Sequence, residues 1–561
     1  MRGVRGVRAR PGGAHLHGRM IERSVDVAVV GSGFSGSILA MIVRRLGRSV
    51  ILLERGRHPR FAIGESSTPL ASLLLEELAR TYDLPSLLPF TKYGAWTRAH
   101  PEVACGLKRG FTFLRHDAGA PLTTDARHRH QLLVAASPVD EIGDVHWYRP
   151  DFDHFLVREA MATGVEYLDA CALDSLERRG NVTRLAGRWR RHDAPGAGDA
   201  ITVDARLVVD ATGPRGFLHR ALGLGARALP GLPPTQALYT HFTGVRRIAD
   251  VVPDAFAGAP PFPPDAAAVH HVVDGGWIWV LRFDNGITSA GVAATDALAD
   301  DLRLADGAGA WARLLARYPT IAAQFAGAAP TRDFTWVPRL SFASAAVAGD
   351  GWVQLPSAAG IVDPLLSTGF PLTLLGVQRM AATIASAWES PALGARLADY
   401  ATRTAAELDT TARLVGALYD AFGDWDRFVA LTQLYFAAAS YTESCRRLGR
   451  PELAGDAFLL AAHPAFGPAF DRCLAMAARR DATATPALVA AVREAIAPVN
   501  VAGLLDPDRA DWYACVADDL VAAAPKLRSS EREVMRMLER CGFTPSPTAA
   551  GEGTARAARR S

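Results

Sequence analysis

The chain has 561 residues, a formal net charge of +3 and a hydrophobic fraction of 49%. This length allows two or three domains, and the near-balanced charge gives no reason to expect a nucleic-acid partner. Six scattered cysteines without a C-x-x-C pair indicate free thiols, so we expect a cytoplasmic protein without a disulfide framework or a metal site. No run of about 18 apolar residues occurs, and we therefore expect no membrane span.

Residues 25–54 carry the strongest pattern in the chain. The valine-rich run 25–30 predicts a buried parallel strand, residues 37–46 a helix, and residues 50–53 a second strand. This order of strand, turn, helix and strand is typical of a dinucleotide-binding fold.

Three glycines fill the turn between the first strand and the helix in the order G-x-G-x-x-G. Gly31 allows the tight turn, Gly33 lets a pyrophosphate approach the backbone, and Gly36 lets the helix pack closely on the strand. The helix N-terminus offers N–H groups to phosphates, and Glu54 after the second strand is placed to bind ribose hydroxyls. The predicted cofactor contacts here are Gly31, Ser32, Gly33, Phe34, Ser35, Gly36, Glu54 and Arg55.

Further along the chain, residues 72–80 and 149–163 predict helices, whereas residues 84–116 indicate an irregular segment rich in aromatic side chains. A strand that ends in Ala-Thr-Gly at 211–213 is a second signal of the dinucleotide fold. Four predicted strands between 226 and 345 indicate an antiparallel sheet, and the sequence after 376 has helical periodicity to about 542. The four strands are expected near 236–246, 267–273, 277–283 and 287–293.

Four stretches together resemble the para-hydroxybenzoate hydroxylase-like group of FAD proteins and, within it, the flavin-dependent halogenases. They are residues 31–36, the Gly-Glu-Ser-Ser-Thr-Pro of 64–69, the Phe-Thr-Lys-Tyr-Gly-Ala of 90–95 and the Asp-Pro-Leu-Leu-Ser-Thr-Gly of 363–369. A fifth, Gly-Trp-Ile-Trp-Val-Leu-Arg at 276–282, resembles the halogenase W-x-W-x-I-P signature with Leu-Arg in place of Ile-Pro.

Two other departures from the family pattern bear on the reaction. Pro356-Ser357 stand where a Gly-Asp pair is usual, and Leu366 stands where the tryptophan halogenases carry a catalytic glutamate. The chain therefore resembles phenolic and pyrrole halogenases more than tryptophan halogenases proper. A related FAD-dependent monooxygenase that does not halogenate remains an alternative, as does a non-catalytic flavoprotein scaffold.

The resemblance implies an α/β (α+β) fold: a Rossmann-like FAD-binding domain, an inserted antiparallel-sheet substrate domain and a C-terminal helical region. The expected boundaries are a disordered extension at 1–20, with either Met1 or Met20 as the start; the FAD-binding domain at 21–225, including segments of the substrate domain; the β-rich substrate domain at 226–345; the return of the FAD-binding domain at 346–380; helices at 381–543; and a disordered tail at 544–561.

The resemblance also implies the chemistry. A partner flavin reductase supplies reduced FAD, and dioxygen and a chloride or bromide ion then yield hypohalous acid. A lysine positions this acid, or carries the halogen as a haloamine, toward a small phenol-like or pyrrole-like aromatic substrate, free or tethered to a carrier protein. Lys92, in its K-x-G-A context, is the first expected catalytic residue and Lys108 the second.

The remaining expected site residues come from the same stretches. Cofactor contacts are expected from Gly64, Glu65, Ser66, Ala211, Thr212, Gly213, Asp363, Gly369 and Phe370. The turn that faces the halide and the flavin is expected at Pro364, Ser367 and Thr368, and substrate contacts are expected from Trp96, Trp277 and Trp279.

Overall fold

A computed structural model describes residues 20–191, 198–479 and 481–543 of the chain. The predicted disordered tail lies outside these residues, and so does the predicted N-terminal extension except for Met20, with which the first strand begins. None of the helices in the described residues is long and apolar enough to cross a membrane.

The first part of the chain alternates strands and helices. Its elements are β1 (Met20–Val30), α1 (Phe34–Arg45), β2 (Val50–Leu53), α2 (Pro69–Thr81), α3 (Tyr93–Ala99), β3 (Cys105–Lys108), β4 (Gly110–Arg115), β5 (Gln131–Ala135), β6 (Asp144–Trp147), α4 (Arg149–Ala162), β7 (Glu166–Leu168), β8 (Cys171–Arg179), β9 (Val182–Trp189) and β10 (Asp199–Asp210). The prediction of an irregular segment at 84–116 is wrong, because α3, β3 and β4 lie there. Elements of four to seven residues are too short to show a clear hydrophobic period.

The middle part is dominated by strands. Its elements are α5 (Phe217–Ala221), β11 (Thr235–Thr243), α6 (Ile248–Val251), β12 (Ala268–Val273), β13 (Gly276–Arg282), β14 (Thr288–Thr295), α7 (Asp296–Leu302), α8 (Ala308–Arg317), α9 (Pro319–Gln324), β15 (Ala329–Pro330), β16 (Thr335–Val337), β17 (Phe342–Ala343), β18 (Ala348–Gly349), β19 (Trp352–Gln354), α10 (Pro356–Ala359) and β20 (Gly360–Ile361).

The last part is mainly helical. Its elements are α11 (Gly369–Ala387), α12 (Leu393–Asp420), α13 (Trp425–Arg447), α14 (Phe466–Ala477), α15 (Thr485–Ile496), β21 (Trp512–Tyr513), α16 (Ala517–Ala522) and α17 (Glu531–Arg540). One continuous apolar core contains residues of α13 and α14 together with residues of β1 and α1, so the helices pack on the rest of the chain.

The first large sheet has the order β18-β19-β10-β1-β2-β7, and its strands from β19 to β7 are parallel. The end of β1 is buried from Val27 to Val30, as expected for a parallel strand that is covered on both faces. Because these strands are parallel, the ends of β1, β2 and β10 meet at one edge. That edge carries the glycine turn, Glu54 and residues 211–213, and ligands of open parallel sheets bind at such an edge.

The second large sheet has the order β15-β11-β14-β13-β12-β4-β5-β21, with β16 also paired to β11. It is antiparallel except for the pairs β12–β4 and β5–β21. The sheet therefore extends beyond the predicted segment 226–345, since β4 and β5 come from before it and β21 from the helical region. At the β21 end, the Trp512 ring stacks on His128 with 3.6 Å between centroids.

A separate two-stranded antiparallel pair, β3–β6, lies between these parts of the molecule. The last residue of β3, Lys108, is the direct cross-strand partner of the first residue of β6, Asp144. Both side chains are buried.

Candidate active site

The glycine turn after β1 is held by close backbone contacts. Gly31 has a φ of +102°, and a Cβ added there would lie 2.6 Å from the Ala211 carbonyl oxygen. A Cβ at Gly36 would lie 2.0 Å from the Gly31 oxygen. No side chain fits at either position, so both glycines are required by the approach of α1 and the end of β10 to the turn.

Gly33 differs from these two glycines, because the space in front of it is open. A Cβ there would meet nothing closer than Arg149 Nη2 at 3.4 Å and Arg60 Nη2 at 3.8 Å. Asp153 accepts two hydrogen bonds of 2.8 Å from Arg149 and fixes its position. The start of α1 and two guanidinium groups thus form a cationic cradle; Ser35 and Phe34 lie buried in the first turn of this helix.

Glu54 is buried at the end of β2 and faces the same turn. Its Oε2 accepts hydrogen bonds from the Ser32 N–H at 3.1 Å and the Ser32 hydroxyl at 3.0 Å, and it lies 3.3 Å from Arg60 Nη2. Burial alone would raise the pKa of Glu54, but Arg60 and these hydrogen bonds outweigh it and lower the pKa. The carboxylate is therefore ionised, whereas the neighbouring Arg55 is exposed to solvent.

Residues 211–213 close the same edge after β10. The Ala211 N–H donates to the Val30 carbonyl at 2.7 Å, and Asp210 accepts from the Thr212 N–H at 2.8 Å. Gly213 has a φ of +83° and open space where a Cβ would stand. Residues 211–213 therefore pack against the glycine turn and are hydrogen-bonded to the end of β1.

The turn at 64–69 carries a buried hydrogen bond between two titratable side chains. Glu65 Oε1 lies 2.8 Å from Nε2 of His241 on β11, and the Glu65 carbonyl accepts from the Trp147 N–H at 2.7 Å. Gly64, with a φ of +91°, exposes its carbonyl to Arg149 at 2.9 Å. The turn thus connects the cationic cradle with the second sheet.

The turn at 363–369 precedes the N-terminus of α11. Asp363 accepts from the Leu365 N–H at 2.9 Å and from the Tyr419 hydroxyl at 2.8 Å, and burial raises the pKa of Asp363 to about 7 despite both bonds. Ser367 adopts a φ of +53°, which turns the chain into the helix. Asp363 thus shapes the turn from inside the protein. Pro364 lies between these residues and is partly exposed.

The N-termini of α1 and α11 meet over one tryptophan. Phe370 stacks on Trp147 with 4.3 Å between ring centroids, and Phe34 contacts Phe370 edge-on at 4.9 Å. Gly369 opens α11 with free space at its Cβ position, and Thr368 precedes it. Two helix N-termini, each a partial positive charge, are therefore directed to one region.

Lys108 joins the two serine-containing turns. Its ammonium group donates to the Ser66 hydroxyl at 2.8 Å, to the Ser67 carbonyl at 2.6 Å and to the Ser367 hydroxyl at 3.4 Å. The same Nζ lies 3.9 Å from the centroid of the Phe111 ring. The side chain is fully buried, and burial lowers the pKa of Lys108 to about 7, although the negative charge of Asp144 opposes this.

Lys92 occupies a different place. It precedes α3, is only partly buried, and its Nζ lies 3.5 Å from the Ile142 carbonyl oxygen. It faces the cavity described next and does not contact the turns at 64–69 and 363–369 in the hydrogen bonds of the described residues. The structure therefore brings Lys108, the second expected lysine, to the site that the motifs form.

A cavity of about 140 Å³ lies between the β3–β6 region and the C-terminal helices. One wall includes Thr68, Lys92, Phe111 and Asp144; the opposite wall includes Tyr435, Glu443, Arg447, Cys515 and Met537. Phe111 contributes to the cavity wall and also contacts the Lys108 ammonium group, so this ring connects the surroundings of the amine with the cavity.

The three expected substrate tryptophans do not line this cavity in the described part of the chain. Trp96 is fully buried against Phe90 and Phe152, and its indole N–H donates to the Val103 carbonyl at 2.7 Å. Trp277 and Trp279 lie on one face of β13, buried in the core. Side chains at i and i+2 of a strand share a face, and here that face is the core of the molecule.

The residues at the sheet edge fit FAD. The cradle at Gly33 has room for a pyrophosphate between the start of α1 and two guanidinium groups, and the ionised Glu54 suits ribose hydroxyls. Sequence reasoning missed Arg60, because its place beside Gly33 depends on the fold. An arginine shortly after an acid-ended second strand is the only signal that could have indicated Arg60.

Comparison with known proteins agrees with this geometry. The family model described as tryptophan halogenase matches residues 145–427, just over half of the chain. The chain is 29% identical to monodechloroaminopyrrolnitrin halogenase PrnC of Pseudomonas fluorescens over 418 residues, which are 72% of this chain and 70% of that protein. It is 27% identical to tetracycline 7-halogenase of Kitasatospora aureofaciens over 361 residues, 63% of this chain and 62% of that protein.

Solved structures share the fold. The structure of halogenase PltM in complex with phloroglucinol and FAD superimposes with a TM-score of 0.73 at 23% identity, covering 87% of this chain and 99% of that chain. The structure of the flavin-dependent brominase Bmp2 has a TM-score of 0.59 at 20% identity, covering 82% of this chain and 100% of that chain. The chain belongs to the tryptophan halogenase family, and it is a flavin-dependent halogenase that uses FAD.

Proposed function

We propose that this enzyme halogenates an electron-rich, phenol-like or pyrrole-like aromatic ring, and that Lys108 carries the halogen. The single observation that supports this assignment best is the position of the Lys108 amine, which bonds both the turn at 64–69 and the turn at 363–369. Those two turns are the stretches that resemble the halogenases at the flavin side of the site.

Burial supports the chemical role of Lys108. Nucleophilic lysines are those whose ammonium group is destabilised by desolvation, so that a neutral amine is present near neutral pH. Lys108 is fully buried and its pKa is lowered to about 7, so a large fraction is neutral under ordinary conditions. Lys92 has solvent access and lacks the contacts to the two turns, which is why we assign it a supporting place on the cavity wall.

The halide is assigned to the N-terminus of α11. The left-handed Ser367 and the following Thr368 direct the first N–H groups of a 19-residue helix away from its body, and the helix dipole favours an anion there. Ser367 also contacts Lys108, so this site would deliver its product directly to the amine.

Bound FAD in its reduced form supplies the chemistry that converts dioxygen and a halide ion into hypohalous acid. The neutral Lys108 nitrogen then attacks the halogen atom of this acid: an N–halogen bond forms and the O–halogen bond breaks. The released hydroxide takes a proton from the nitrogen and leaves as water, and Lys108 retains the halogen as a haloamine.

The cavity supports a small aromatic substrate. Its wall combines apolar side chains with Asp144, Glu443 and Arg447, which can hydrogen-bond ring hydroxyl or N–H groups. Relatives of the chain are named for monodechloroaminopyrrolnitrin, tetracycline and pyrrole-2-carbonyl groups on a peptidyl carrier protein. We assign the same class of electron-rich ring, and a separate flavin reductase as the source of reduced FAD.

The experiment supplies FAD-loaded protein with a flavin reductase, NADH and either chloride or bromide. Phloroglucinol, monodechloroaminopyrrolnitrin and a carrier-bound pyrrole-2-carbonyl group serve as probes, and product masses are measured. We expect a product with the isotope pattern of the added halogen. A hydroxylated product alone, or no product from any probe, would contradict the proposal.

The lysine assignment is tested with Lys108→Met and Lys92→Met. We expect Lys108→Met to bind FAD and oxidise reduced flavin but to form product at below about 1% of the wild-type rate, because the halogen has no carrier. Hypohalous acid should then escape and chlorinate added monochlorodimedone. Lys92→Met should lose less than about tenfold, because it removes only a charge on the cavity wall.

Lys526→Ala is the control, because this exposed lysine donates to the Asn500 carbonyl away from the site. It should match the wild type. If Lys92→Met abolishes product while Lys108→Met retains it, the roles of the two lysines are reversed.

A further inference from the structure

We propose that Asp144 is the base that accepts the proton which the aromatic ring loses when it is halogenated. This inference rests on the proposed function and adds a second catalytic residue to it. It begins from the β3–β6 pair, in which Asp144 stands directly across from Lys108.

The strand pairing sets the distance between the Cβ atoms of the two residues. Directly opposed residues of an antiparallel pair have Cβ atoms about 5 Å apart and project their side chains to the same face. Lys108 and Asp144 are such a pair, and both are buried. The two side chains therefore leave the same face of the β3–β6 pair, and the charge of Asp144 acts on the Lys108 amine.

Asp144 also lines the cavity that we assign to the substrate. Its Oδ1 accepts a hydrogen bond of 3.1 Å from the Ser72 hydroxyl, which fixes the orientation of the group. A carboxylate has about four acceptor sites on its two oxygens, so one hydrogen bond leaves it able to take a proton. The same side chain thus contacts the cavity and neighbours the halogen carrier.

The turn at 363–369 offers no carboxylate for this task. Leu366 is fully buried at the position where the resemblance implies a glutamate in tryptophan halogenases, and Asp363 is engaged by Tyr419 and by the backbone of its own turn. A base beside the amine must then come from another element, and β6 supplies it.

Transfer of the halogen from Lys108 to the aromatic ring is followed by loss of a proton from the ring. The haloamine nitrogen first takes up a proton from water, and the hydroxide formed is neutralised by the proton that the ring later releases. A ring carbon then attacks the halogen with a π electron pair: the carbon–halogen bond forms, the N–halogen bond breaks, and its electron pair stays on nitrogen as the neutral Lys108 amine. The resulting ring cation then loses the proton of that carbon to the Asp144 carboxylate. The pair of the broken C–H bond restores the aromatic ring, and no oxidant beyond the haloamine is consumed.

The surroundings of Asp144 allow it to change charge. Burial raises the pKa of Asp144 to about 6, against the opposing positive charges of Lys92 and Lys108. The titratable and charged groups that act on it or are influenced by it come from several elements: Lys92 before α3, Lys108 on β3, Tyr435 and Glu443 on α13, and Cys515 after β21.

The test uses Asp144→Asn in the FAD-loaded enzyme, with phloroglucinol and monodechloroaminopyrrolnitrin as probes. Product formation should fall by about 100-fold, the usual share of a general base, while oxidation of reduced flavin is unchanged. An equal mixture of ordinary monodechloroaminopyrrolnitrin and the same molecule deuterated at the halogenated carbon should show stronger discrimination against deuterium in the variant, since C–H cleavage becomes slow.

The pH profile separates a base from a structural residue. For the wild type, the rate of product formation should increase steeply as the pH is raised toward 6, because both Asp144 and Lys108 must lose a proton. In Asp144→Asn, only the dependence on Lys108 should remain, so the increase should be less steep. Ser72→Ala keeps the carboxylate but removes a hydrogen bond that lowers its pKa, and should shift the dependence on Asp144 to higher pH.

Asp140→Asn is the matched control and should behave as the wild type, because this largely exposed aspartate pairs with Arg109 and is not among the residues that line the cavity in the described part of the chain. Wild-type product rates in Asp144→Asn would overturn the proposal. So would a loss of activity without any change in isotope discrimination or in the shape of the pH profile. If the wild type itself halogenates neither probe, the proposed function fails and this inference falls with it.

Discussion

The cofactor edge of the parallel sheet and the β3–β6 pair use charged residues in opposite ways. At the sheet edge, Glu54 is held ionised by Arg60 and by hydrogen bonds from Ser32, so its charge does not vary around neutral pH. In the β3–β6 pair, burial moves the pKa of Lys108 to about 7 and that of Asp144 to about 6. Binding a charged cofactor requires fixed charges, whereas moving halogen and proton requires groups whose charge can change.

Within the cofactor edge, substitutions at two glycines test most directly whether this region binds FAD. Gly33→Val should weaken FAD binding by roughly 100-fold, because the valine side chain would clash with the bound pyrophosphate and not with the protein. Such overpacking costs about 3 kcal/mol. The folded apoprotein should keep its stability, since a Cβ at Gly33 meets nothing closer than 3.4 Å. FAD titration and thermal unfolding measure the two quantities.

Gly36→Ala is the counterpart and should act on the fold itself. Its Cβ would lie 2.0 Å from the Gly31 oxygen, so we expect a loss of about 2–4 kcal/mol in the free energy of unfolding. Equal effects of both variants on apoprotein stability would show that the open cradle at Gly33 is not a ligand site.

The pH dependence of the two regions should also differ. FAD affinity should stay constant between about pH 6 and 8, because Glu54 has a lowered pKa and remains ionised. Between about pH 6 and 7, product formation should rise about tenfold per pH unit, since the reactive Lys108 amine is neutral only above its pKa of about 7. A product rate that is flat over this range would show that the amine is not the titrating group in the reaction.

The difference between the regions also explains what the sequence could predict. The cofactor edge is built from local order along residues 25–54. Strand β2 occurs at the predicted residues, β1 begins before its predicted segment, and α1 begins three residues before its predicted start and ends one residue before its predicted end. The FAD fold, the halogenase family and the C-terminal helices followed from this order and from the short motifs.

The proposed catalytic pair could not be predicted in the same way. Lys108 and Asp144 are 36 positions apart, and only the pairing of two four-residue strands makes them neighbours. The resemblance puts Lys92 first because of its K-x-G-A context, and a motif shows which residues are close in the chain but not which amine is desolvated. The roles of Lys92 and Trp96 stay predictions, since buried and ligand-binding tryptophans have the same sequence signature.

Substitution of Trp96 should have the smallest effect, because we expect it to change the stability of the protein but neither FAD binding nor product formation. Trp96→Phe removes the indole N–H that donates to the Val103 carbonyl, and we expect a loss of about 2 kcal/mol in the free energy of unfolding. FAD affinity and product rate at saturating substrate should be unchanged, because the ring packs against Phe90 and Phe152. A raised KM for the aromatic probe would restore Trp96 to the substrate site.

The pairing of Trp512–Tyr513 with β5 sets the order in which the enzyme can be assembled during synthesis. The partner residues Leu133 and Val134 leave the ribosome roughly 380 positions earlier than β21, and one wall of the cavity comes from residues beyond 434. The glycine turn, Glu54 and the β3–β6 pair are all synthesised before the residues of that wall. The cavity that we assign to the substrate therefore cannot be complete until the last helices have been synthesised.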